Sequence, residues 1–412
     1  MANILQQVQT YQMANLALLQ NLNCFISTFN TKFKDFNKIQ ANRGDTVTFD
    51  LPPRFISNPS LIAVFQDAEQ RVQSLTVDQA ENIAYQFTAQ EFIFNVEDYM
   101  EKFGKSATAE MGAVVEANVA QNCVTAPYRF FGDGINPINS YTQLAQALAL
   151  FRNYGAATKN TIGYLSDVAV PTIIGSGLTQ FATNRNNEIA NSWEVGSFSR
   201  TDWCQSNLLP VHVAGTEGEQ DTTLTVVSVV TDADGGISAI TFSGTNAAAD
   251  ADSIKNNDKL QFQDGVAGQP NMRYRTFIGH EVSANTVQVR VTADAASTAG
   301  SEVTVQITPK LYNAAGRNQN TNNLVAAGMQ VKALPSHRAG MIISGDAGYL
   351  AMPQLPEETP FPTGNAYDPD TGVSMRMYHG SKFGLNERGM VHDAIWGSTV
   401  VPEYAMSLIF PL

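Results

Sequence analysis

Between residues 213 and 310, apolar and polar positions alternate in short runs, a pattern typical of β-strands. The runs are rich in Val, Ile and Thr, and turn residues such as the Asp-Ala-Asp-Gly-Gly of 232–236 separate them. Strands are predicted at 224–230, 237–242, 259–262, 286–291 and 303–307. Because the chain on both sides mixes helical and strand patterns, we expect an all-β module inserted into an α+β host.

Outside this module, apolar residues recur at helical spacing. Residues 3–22 have one apolar face and one face of uncharged amides, so this helix either docks on its own domain or lies on a neighbouring subunit. A longer pattern runs over 96–123, with Gly104 as a weak point or kink and Glu116 on the polar side. Further helices are predicted at 140–152 with Ser140 as N-cap, at 177–181 and beyond, and at 318–333.

Two alternating runs, 46–51 and 82–87, are separated by about thirty residues that include Pro52, Pro53 and the apolar run 61–65. A connection of that length is uncommon in a compact domain unless it extends outwards for a purpose. Residues 46–90 are therefore predicted to form a long β-hairpin-like excursion. A buried strand is predicted at 162–165, and strands at 341–343, 394–396 and 405–410 are predicted to close a mixed sheet.

The composition points to a chain that associates with others. The 412 residues suffice for two or three domains, yet only 15% of them are charged, against about 25% in ordinary proteins. Large areas of the surface are therefore expected to be either uncharged and polar or buried against other subunits. The net charge is −13, and residues 213–310 account for six minus twelve, or −6, of it.

Several partner classes and environments are disfavoured by the same numbers. A net negative chain without a Lys/Arg cluster is not expected to grip nucleic acid. No run of about twenty apolar residues exists, and the N-terminus lacks the basic region of a signal peptide, so neither a membrane span nor a signal peptide is expected. Cys24, Cys123 and Cys204 have no metal-ligand spacing and are predicted to be reduced thiols.

No combination of residues predicts catalysis. Cys204 and His212 are the nearest approach to a nucleophile and its base, but no oxyanion-binding turn accompanies them. Asp232 and Asp234, like the Asp-Pro-Asp of 368–370, lie in loops that lack the ligand spacing of a calcium site, and turn chemistry accounts for them. We expect no catalytic residue, no cofactor, no metal site and no enzymatic activity.

Several short stretches resemble coat proteins of tailed phages with the HK97 fold, in the P22-like branch whose coat contains an inserted β domain. The stretches are GSFSRTDW at 196–203, NDKLQFQDGV at 257–266, VQITPK at 305–310, NQNTN at 318–322 and AIWG at 394–397. The order of arm, long hairpin, spine helix and interrupted mixed domain is also similar. The resemblance implies an HK97-like α+β capsid fold interrupted by an all-β insertion domain.

The resemblance also implies a domain layout: an N-terminal arm at 1–45, an E-loop at 46–90, a peripheral domain with the spine helix at 91–125, an axial domain at 126–212 and 311–412, and the inserted β domain at 213–310. In such coats the E-loop lies over the adjacent subunit. The expected assembly contacts are then Leu5 and Leu19 in the arm, Arg54, Phe55 and Phe65 in the E-loop, and Asp232 and Asp234 at the hairpin tip of the insert.

The function implied is that of a major capsid protein. Copies would form hexamers and pentamers of an icosahedral virion shell, assembled in the host cytoplasm with a scaffolding protein and a portal protein. The resulting procapsid would expand and enclose double-stranded DNA without sequence-specific contact. An encapsulin-type compartment shell and a secreted β-rich adhesin are the alternatives. The missing signal peptide and the long internal helix disfavour the adhesin.

Overall fold

The protein is a mixed α+β chain with a high content of β-structure. The computed structural model describes residues 24–31, 46–58, 60–63, 65–66, 69–88, 104–155, 160–177, 195–246, 248–345, 347–356, 363–367, 373–381 and 387–412. Residue contacts divide the chain into two compact units. Unit 1 comprises Met1–Phe49, Gln73–Cys123 and Gly345–Thr399, and unit 2 comprises Asp50–Val72, Val124–Ser344 and Val400–Leu412.

Helices are few among the described residues. They are α1 (Cys24–Thr28), α2 (Lys105–Val124), α3 (Tyr141–Asn153), α4 (Val170–Gly177) and α5 (Thr216–Glu219), with a 3-10 turn at Pro402–Tyr404. The strands are β1 (Thr46–Leu51), β2 (Arg71–Thr76), β3 (Gln79–Thr88), β4 (Phe130–Phe131), β5 (Thr161–Ser166), β6 (Ser197–Phe198), β7 (Thr201–Ser206), β8 (Val211–His212), β9 (Thr223–Thr231), β10 (Ile237–Ser243), β11 (Lys259–Phe262), β12 (Arg273–Arg275), β13 (Val282–Thr286), β14 (Gln288–Val291), β15 (Glu302–Leu311), β16 (Gln330–Ala333), β17 (His337–Ser344), β18 (Gly348–Ala351), β19 (Thr363–Tyr367), β20 (Ser374–Ser381), β21 (Glu387–Val400) and β22 (Ala405–Phe410).

Unit 1 is built on a five-stranded sheet with the order β18-β21-β20-β19, in which β3 also pairs with β21. The β3–β21 ladder is antiparallel and runs from Gln79 opposite Trp396 to Thr88 opposite Glu387. Helix α2 is tied to this sheet because Trp396 Nε1 donates to Asn118 Oδ1 and Asn118 Nδ2 donates to Gln79 Oε1, both at 3.1 Å.

Helix α2 buries one stripe, as its apolar spacing predicts. Ala107, Met111, Val115 and Val119 are buried at four-residue intervals. The expectation that Glu116 lies on the polar side is wrong, because its side chain is 2% exposed. Its carboxylate accepts the first two amides of α1 at 3.2 Å each, which satisfies donors that a helix start leaves free.

Unit 2 contains a seven-stranded sheet with the order β4-β22-β17-β5-β7-β6, and β8 pairs with β17. The pairs β5–β7 and β4–β22 are parallel. Helix α3 covers this sheet with Leu144, Leu148 and Phe151, all fully buried. Its predicted N-cap is confirmed, since Ser140 Oγ accepts the amide of Gln143 at 3.3 Å.

Unit 2 also contains a closed antiparallel barrel with the strand order β10-β15-β14-β11-β16-β9. Alternation fills its interior: in β15, Val303, Val305 and Ile307 are buried while their neighbours face outwards. The barrel core is one apolar cluster that includes Phe242 and Phe262. The predicted all-β module is thus a six-stranded barrel.

The predicted end of the module at residue 310 is wrong for the barrel, and so is the helix at 318–333. The strand that closes the barrel, β16, lies within that predicted helix and pairs with both β9 and β11. The approach to it is rich in asparagines that bond to backbone groups. Asn320 Oδ1 accepts Tyr312 N at 2.8 Å and Asn322 Oδ1 accepts Arg273 N at 2.8 Å. Such local bonds compete with a helix.

Other predicted elements meet mixed outcomes. The strands at 46–51, 162–165, 224–230, 237–242, 259–262, 303–307 and 405–410 and the helix at 140–152 are confirmed. The run 286–291 is divided between β13 and β14. The strand 82–87 exists within β3, but the hairpin partner of β1 is β2, because β3 pairs with the long β21.

A further expectation is wrong. Strands predicted for one mixed sheet belong to two, because β21 lies in the five-stranded sheet while β17 and β22 lie in the seven-stranded one. The helix predicted at 177–181 and beyond stays a prediction, because residues 178–194 lie outside the described residues. The predicted helix 3–22 and the first part of the predicted helix 96–123 also lie outside them.

The position of β16 predicts which fragment of the chain folds. A fragment of residues 213–336 should give a dispersed NMR spectrum and a cooperative thermal transition. A fragment of residues 213–310 lacks β16 and leaves β9 and β11 with open edges, so it should be unfolded or aggregated. Equal folding of both fragments would contradict the barrel topology.

The sheet of unit 2 has no room for a side chain at Gly163, because a Cβ there would overlap the indole of Trp203. Gly163→Ala should lower the free energy of unfolding by about 1–3 kcal/mol through overpacking. The matched control is Gly175→Ala in α4, where a Cβ meets open space and should stabilise the helix by about 0.5–1 kcal/mol. Denaturant titration of both variants, followed by tryptophan fluorescence, measures the difference.

Candidate functional site

The connection between β1 and β2 is shaped by side-chain amides and hydroxyls. Ile56 N donates to Gln66 Oε1 at 3.0 Å, and Gln66 Nε2 donates back to Ile56 O at 2.5 Å, as a pair of ladder bonds would. Nearer the tip, Asn58 Nδ2 donates to Ile62 O at 3.2 Å, and Ile62 N donates to Ser60 Oγ at 3.1 Å. These bonds hold the two sides of the connection together although its described residues form no strand.

Large apolar side chains project from this connection into solvent. The exposed fractions are 56% for Phe55, 107% for Leu61, 77% for Ile62 and 96% for Phe65. We call these four side chains the apolar finger. No charged residue lies between Phe55 and Gln66. Several large exposed apolar side chains within one short segment make the segment a candidate site of contact with another protein.

The base of the same connection is held by a carboxylate. Glu403, in the 3-10 turn, accepts two bonds on its Oε1 atom, from Arg54 Nη2 at 2.6 Å and from Arg71 Nη2 at 2.5 Å. The three side chains are 15–22% exposed. Arg54 also stacks over the ring of Phe277 at 4.6 Å. Partial burial makes these charge-assisted bonds stronger than exposed ion pairs.

Beneath this cluster lies Arg129, which is 1% exposed. Its Nη2 donates to the backbone oxygens of Glu403 at 3.0 Å and Ala405 at 3.3 Å, and its guanidinium lies 4.1 Å from the ring centre of Tyr154. Burial lowers the pKa of Arg129 and raises that of Tyr154 to about 12. The hydroxyls of Tyr128 and Tyr154 are 3.0 Å apart. The aromatic faces compensate part of the cost of burying a cation.

A cavity of about 330 Å³ opens between this cluster and the barrel. Its walls contain charges of both signs and phenol and amide groups. The lining residues are Arg54, Glu69, Arg71, Tyr128, Tyr154, Thr308, Pro309, Lys310, Tyr312, Asn318, Asn320 and Glu403. The charged side chains in this lining are three cations and two carboxylates.

The acidic hairpin tip of the barrel forms its own ion pairs. Lys310 Nζ lies 2.6 Å from Asp232 Oδ2 and 3.3 Å from Asp234 Oδ2. Tyr312 also donates its hydroxyl to Asp234 at 2.8 Å, and Ser238 donates to Asp232 at 2.6 Å. Bonds from Lys310 and Ser238 lower the pKa of Asp232, and the bond from Tyr312 lowers that of Asp234. Both carboxylates are therefore ionised at neutral pH.

Buried titratable groups meet where the barrel joins the sheet. His212 Nε2 lies 2.7 Å from Asp258 Oδ1, and the rings of His212 and His337 are 5.3 Å apart. Lys259, 2% exposed, donates through Nζ to Ser407 Oγ. Burial, followed by the charge of Arg290, holds the pKa of Lys259 well below its usual value.

Several sequence-predicted contact residues fall on these features. Phe55 and Phe65 belong to the exposed finger, whereas Arg54 is engaged by Glu403 inside the chain. Leu5 and Leu19 lie outside the described residues. Asp232 and Asp234 pair with Lys310. The assembly role of all seven stays a prediction.

Sequence reasoning missed the part played by Glu403 and Arg71. Neither residue is part of a local charge pattern, and the two lie 332 positions apart in the sequence. No local spacing signals a pair of that kind. The finger itself had a signal, because 61–65 is an apolar run inside a long connection.

The described residues contain no group of three or more side chains suited to hold a metal ion. Cys204 is half-buried on β7, while the imidazole of His212 is engaged by Asp258. The loop at 368–370 lies outside the described residues. Within the part of the chain that the structure describes, no helix is long and apolar enough to cross a membrane.

Comparisons with known proteins give distant similarities only. No protein-family model and no curated protein matches the chain. It is similar to a structure from Mycobacterium phage Che8 with a TM-score of 0.48 and 8% identity, over 94% of this chain and 90% of that one. For the capsid of Ralstonia phage GP4 the values are 0.46, 7%, 94% and 88%, and for the capsid of cyanophage P-SCSP1u they are 0.43, 10%, 92% and 88%. Scores below 0.5 do not by themselves assign the fold or the function of this chain.

The buried imidazole of His337 predicts acid sensitivity. Its Nδ1 lies 2.7 Å from Pro335 O, and burial, with the charges of Lys259 and His212, lowers its pKa from 6.5 to about 3. Since the unfolded chain binds this proton more tightly, the stability that neutral His337 contributes is present above pH 6.5. It is lost as the pH falls towards 3.

Replacing His337 should remove this loss of stability at low pH. Between pH 7 and pH 4.5, His337→Gln should lose less free energy of unfolding than the unaltered protein, by on the order of 1–3 kcal/mol. Urea titration at the two pH values measures it. His280→Gln, at a half-exposed histidine, is the control. An unchanged pH dependence in His337→Gln would contradict the assignment.

Proposed function

We propose that the chain is the coat subunit of a tailed-phage capsid and that it associates with further copies of itself. The observation on which this rests is the apolar finger. Four large apolar side chains, each at least 56% exposed, lie within eleven residues of one connection. Their exposure in a single subunit is unfavourable, so burial against another subunit is the expected outcome.

Charge supports association between copies at this surface. Each copy has a net charge of −13, so two copies repel one another at long range. Contacts are therefore favoured where surface charge is low, and residues 55–66 contain no charged side chain. The chain as a whole is only 15% charged, which suits a subunit with several neighbours.

The finer proposal is an HK97-type coat of the P22-like branch. In it, residues 46–90 are the E-loop, α2 belongs to the spine helix, and the barrel is the insertion domain. The 1–45 arm and the finger contact neighbours in hexamers and pentamers. The acidic barrel is unsuited to gripping phosphate, in keeping with a shell that encloses double-stranded DNA without specific contact.

Assembly is proposed to proceed in the host cytoplasm through a procapsid, with a scaffolding protein and a portal protein, followed by expansion. Negative-stain electron microscopy of the chain, expressed alone and with a candidate scaffolding protein, tests this proposal. Closed shells that require the scaffold support a phage coat. Shells without it favour an encapsulin-type compartment, and a small oligomer under both conditions overturns the shell function.

Replacing single side chains of the finger should strongly reduce assembly and spare the fold. In Leu61→Ser and Phe65→Ser the side chains are already exposed, so the free energy of unfolding should change by less than about 0.5 kcal/mol. Each lost apolar contact costs about 1.5–3 kcal/mol per interface, repeated over the whole lattice. The yield of shells in electron micrographs should fall at least about ten-fold.

The matched control is Leu324→Ser, which alters a leucine that is 57% exposed beside the barrel. It should assemble as the unaltered protein does. Normal shells from Leu61→Ser and Phe65→Ser would show that the finger is not the contact surface.

A further inference from the structure

Glu403 joins two points on either side of the finger. Arg54 precedes the finger, Arg71 follows it, and both guanidinium groups donate to the same Oε1 atom, at 2.6 and 2.5 Å. A single carboxylate thus closes the 16 residues between Arg54 and Arg71 onto the 3-10 turn at Pro402–Tyr404. We call Glu403 with Arg54 and Arg71 the clasp.

Contacts around the clasp fasten the same connection to the turn of the two-stranded sheet β12–β13 and to the loop that follows β15. The Arg54 guanidinium stacks over Phe277, which lies in the turn between β12 and β13. In that turn, His280 Nε2 lies 3.3 Å from Phe55 O. Arg317 Nη2, in the loop after β15, lies 3.1 Å from Glu69 Oε2. The base of the finger therefore contacts three separate elements of unit 2, while its tip contacts solvent.

The charge balance makes Glu403 the critical member. Two guanidinium groups face one carboxylate, and all three side chains are largely removed from water. If the carboxylate is neutralised, two partly buried cations face each other with no counter-charge, and the connection is driven off the turn. The ion pair between Arg317 and Glu69 is more exposed, since the Glu69 side chain is 53% exposed, and it cannot replace Glu403.

We propose that the clasp positions the finger: it holds the connection against its own chain in the free subunit and so fixes the direction in which the finger meets a second copy. The partner rests on the proposed function, whereas the clasp itself is a property of the single chain. Glu403, Arg54 and Arg71 are positioning residues for this contact. Releasing them should leave the apolar tip present but wrongly directed.

Trypsin tests the clasp in the free subunit, because cleavage after Arg54 or Arg71 requires the guanidinium to leave Glu403. Arg200, exposed in a turn, provides an internal reference site. In Glu403→Gln, the cleavage rates at the Arg54–Phe55 and Arg71–Val72 bonds should rise about ten-fold or more relative to Arg200, the size expected for loss of a charge-assisted bond. Mass spectrometry of the peptides gives both rates.

Two further variants separate release of the clasp from loss of folding. Glu403→Asp keeps the charge but withdraws it by one methylene, so it should give a smaller rise at the same two bonds with an unchanged thermal transition. Glu302→Gln removes an exposed carboxylate of the barrel and should change neither rate. Unchanged cleavage in both Glu403 variants, or a rise equal to that at Arg200, overturns the clasp.

Assembly of the same variants tests whether the clasp positions the finger for contact with a second copy. Under conditions in which the unaltered protein forms shells, Glu403→Gln should give aberrant or few shells, and Glu302→Gln should give normal ones. Normal shells from Glu403→Gln overturn the positioning role. If trypsin shows the clasp while the unaltered protein forms no shells, the clasp stands and the proposed function fails.

Discussion

Much of unit 2 depends on the pairing of the two strands that lead into and out of the barrel. His212 of β8 lies opposite His337 of β17, and a few residues further on β9 pairs with β16 to close the barrel. The strand before the barrel (β8) pairs with the strand after it (β17). The more than one hundred residues between them therefore begin and end at the same place in the sheet. Strand β17 therefore keeps its position between β22 and β5, and the seven-stranded sheet is continuous although the barrel lies between β8 and β17 in sequence.

The junction between the barrel and the seven-stranded sheet combines apolar packing with directional polar bonds. The Gln288 side chain on β14 bonds to both the amide and the carbonyl of Phe130, at 2.8 and 3.0 Å, as a neighbouring strand would. Asn153 at the end of α3 accepts bonds from Ser283 and Ala284. Directional bonds of this kind define one orientation, whereas apolar surfaces alone would allow several. The buried Lys259 and His337, whose pKa values burial lowers, belong to the same junction.

The candidate contact surface separates two physical tasks along one short connection. Its tip provides apolar area, which is non-directional and gains free energy from any burial. Its base provides charge-assisted bonds, which have direction but contribute little where water reaches them. Because Glu403 lies in a partly buried turn, those bonds contribute more to stability than exposed ones would. Together, the apolar tip provides the free energy of a contact, and the charged base provides its direction.

The sequence by itself determined the local structure and the surface character. Alternation placed the barrel strands from Thr223 to Leu311, helical spacing placed α2 and α3, and the apolar run near Leu61 marked the finger. Tertiary structure alone decided which strands pair: β3 with β21, β1 with β2, and β16 as the closing strand within a predicted helix. It also decided that Glu116 is buried and that Glu403 meets two distant arginines. The reason is physical: periodicity reports which face of a segment is apolar, but partners hundreds of residues apart leave no mark on local spacing.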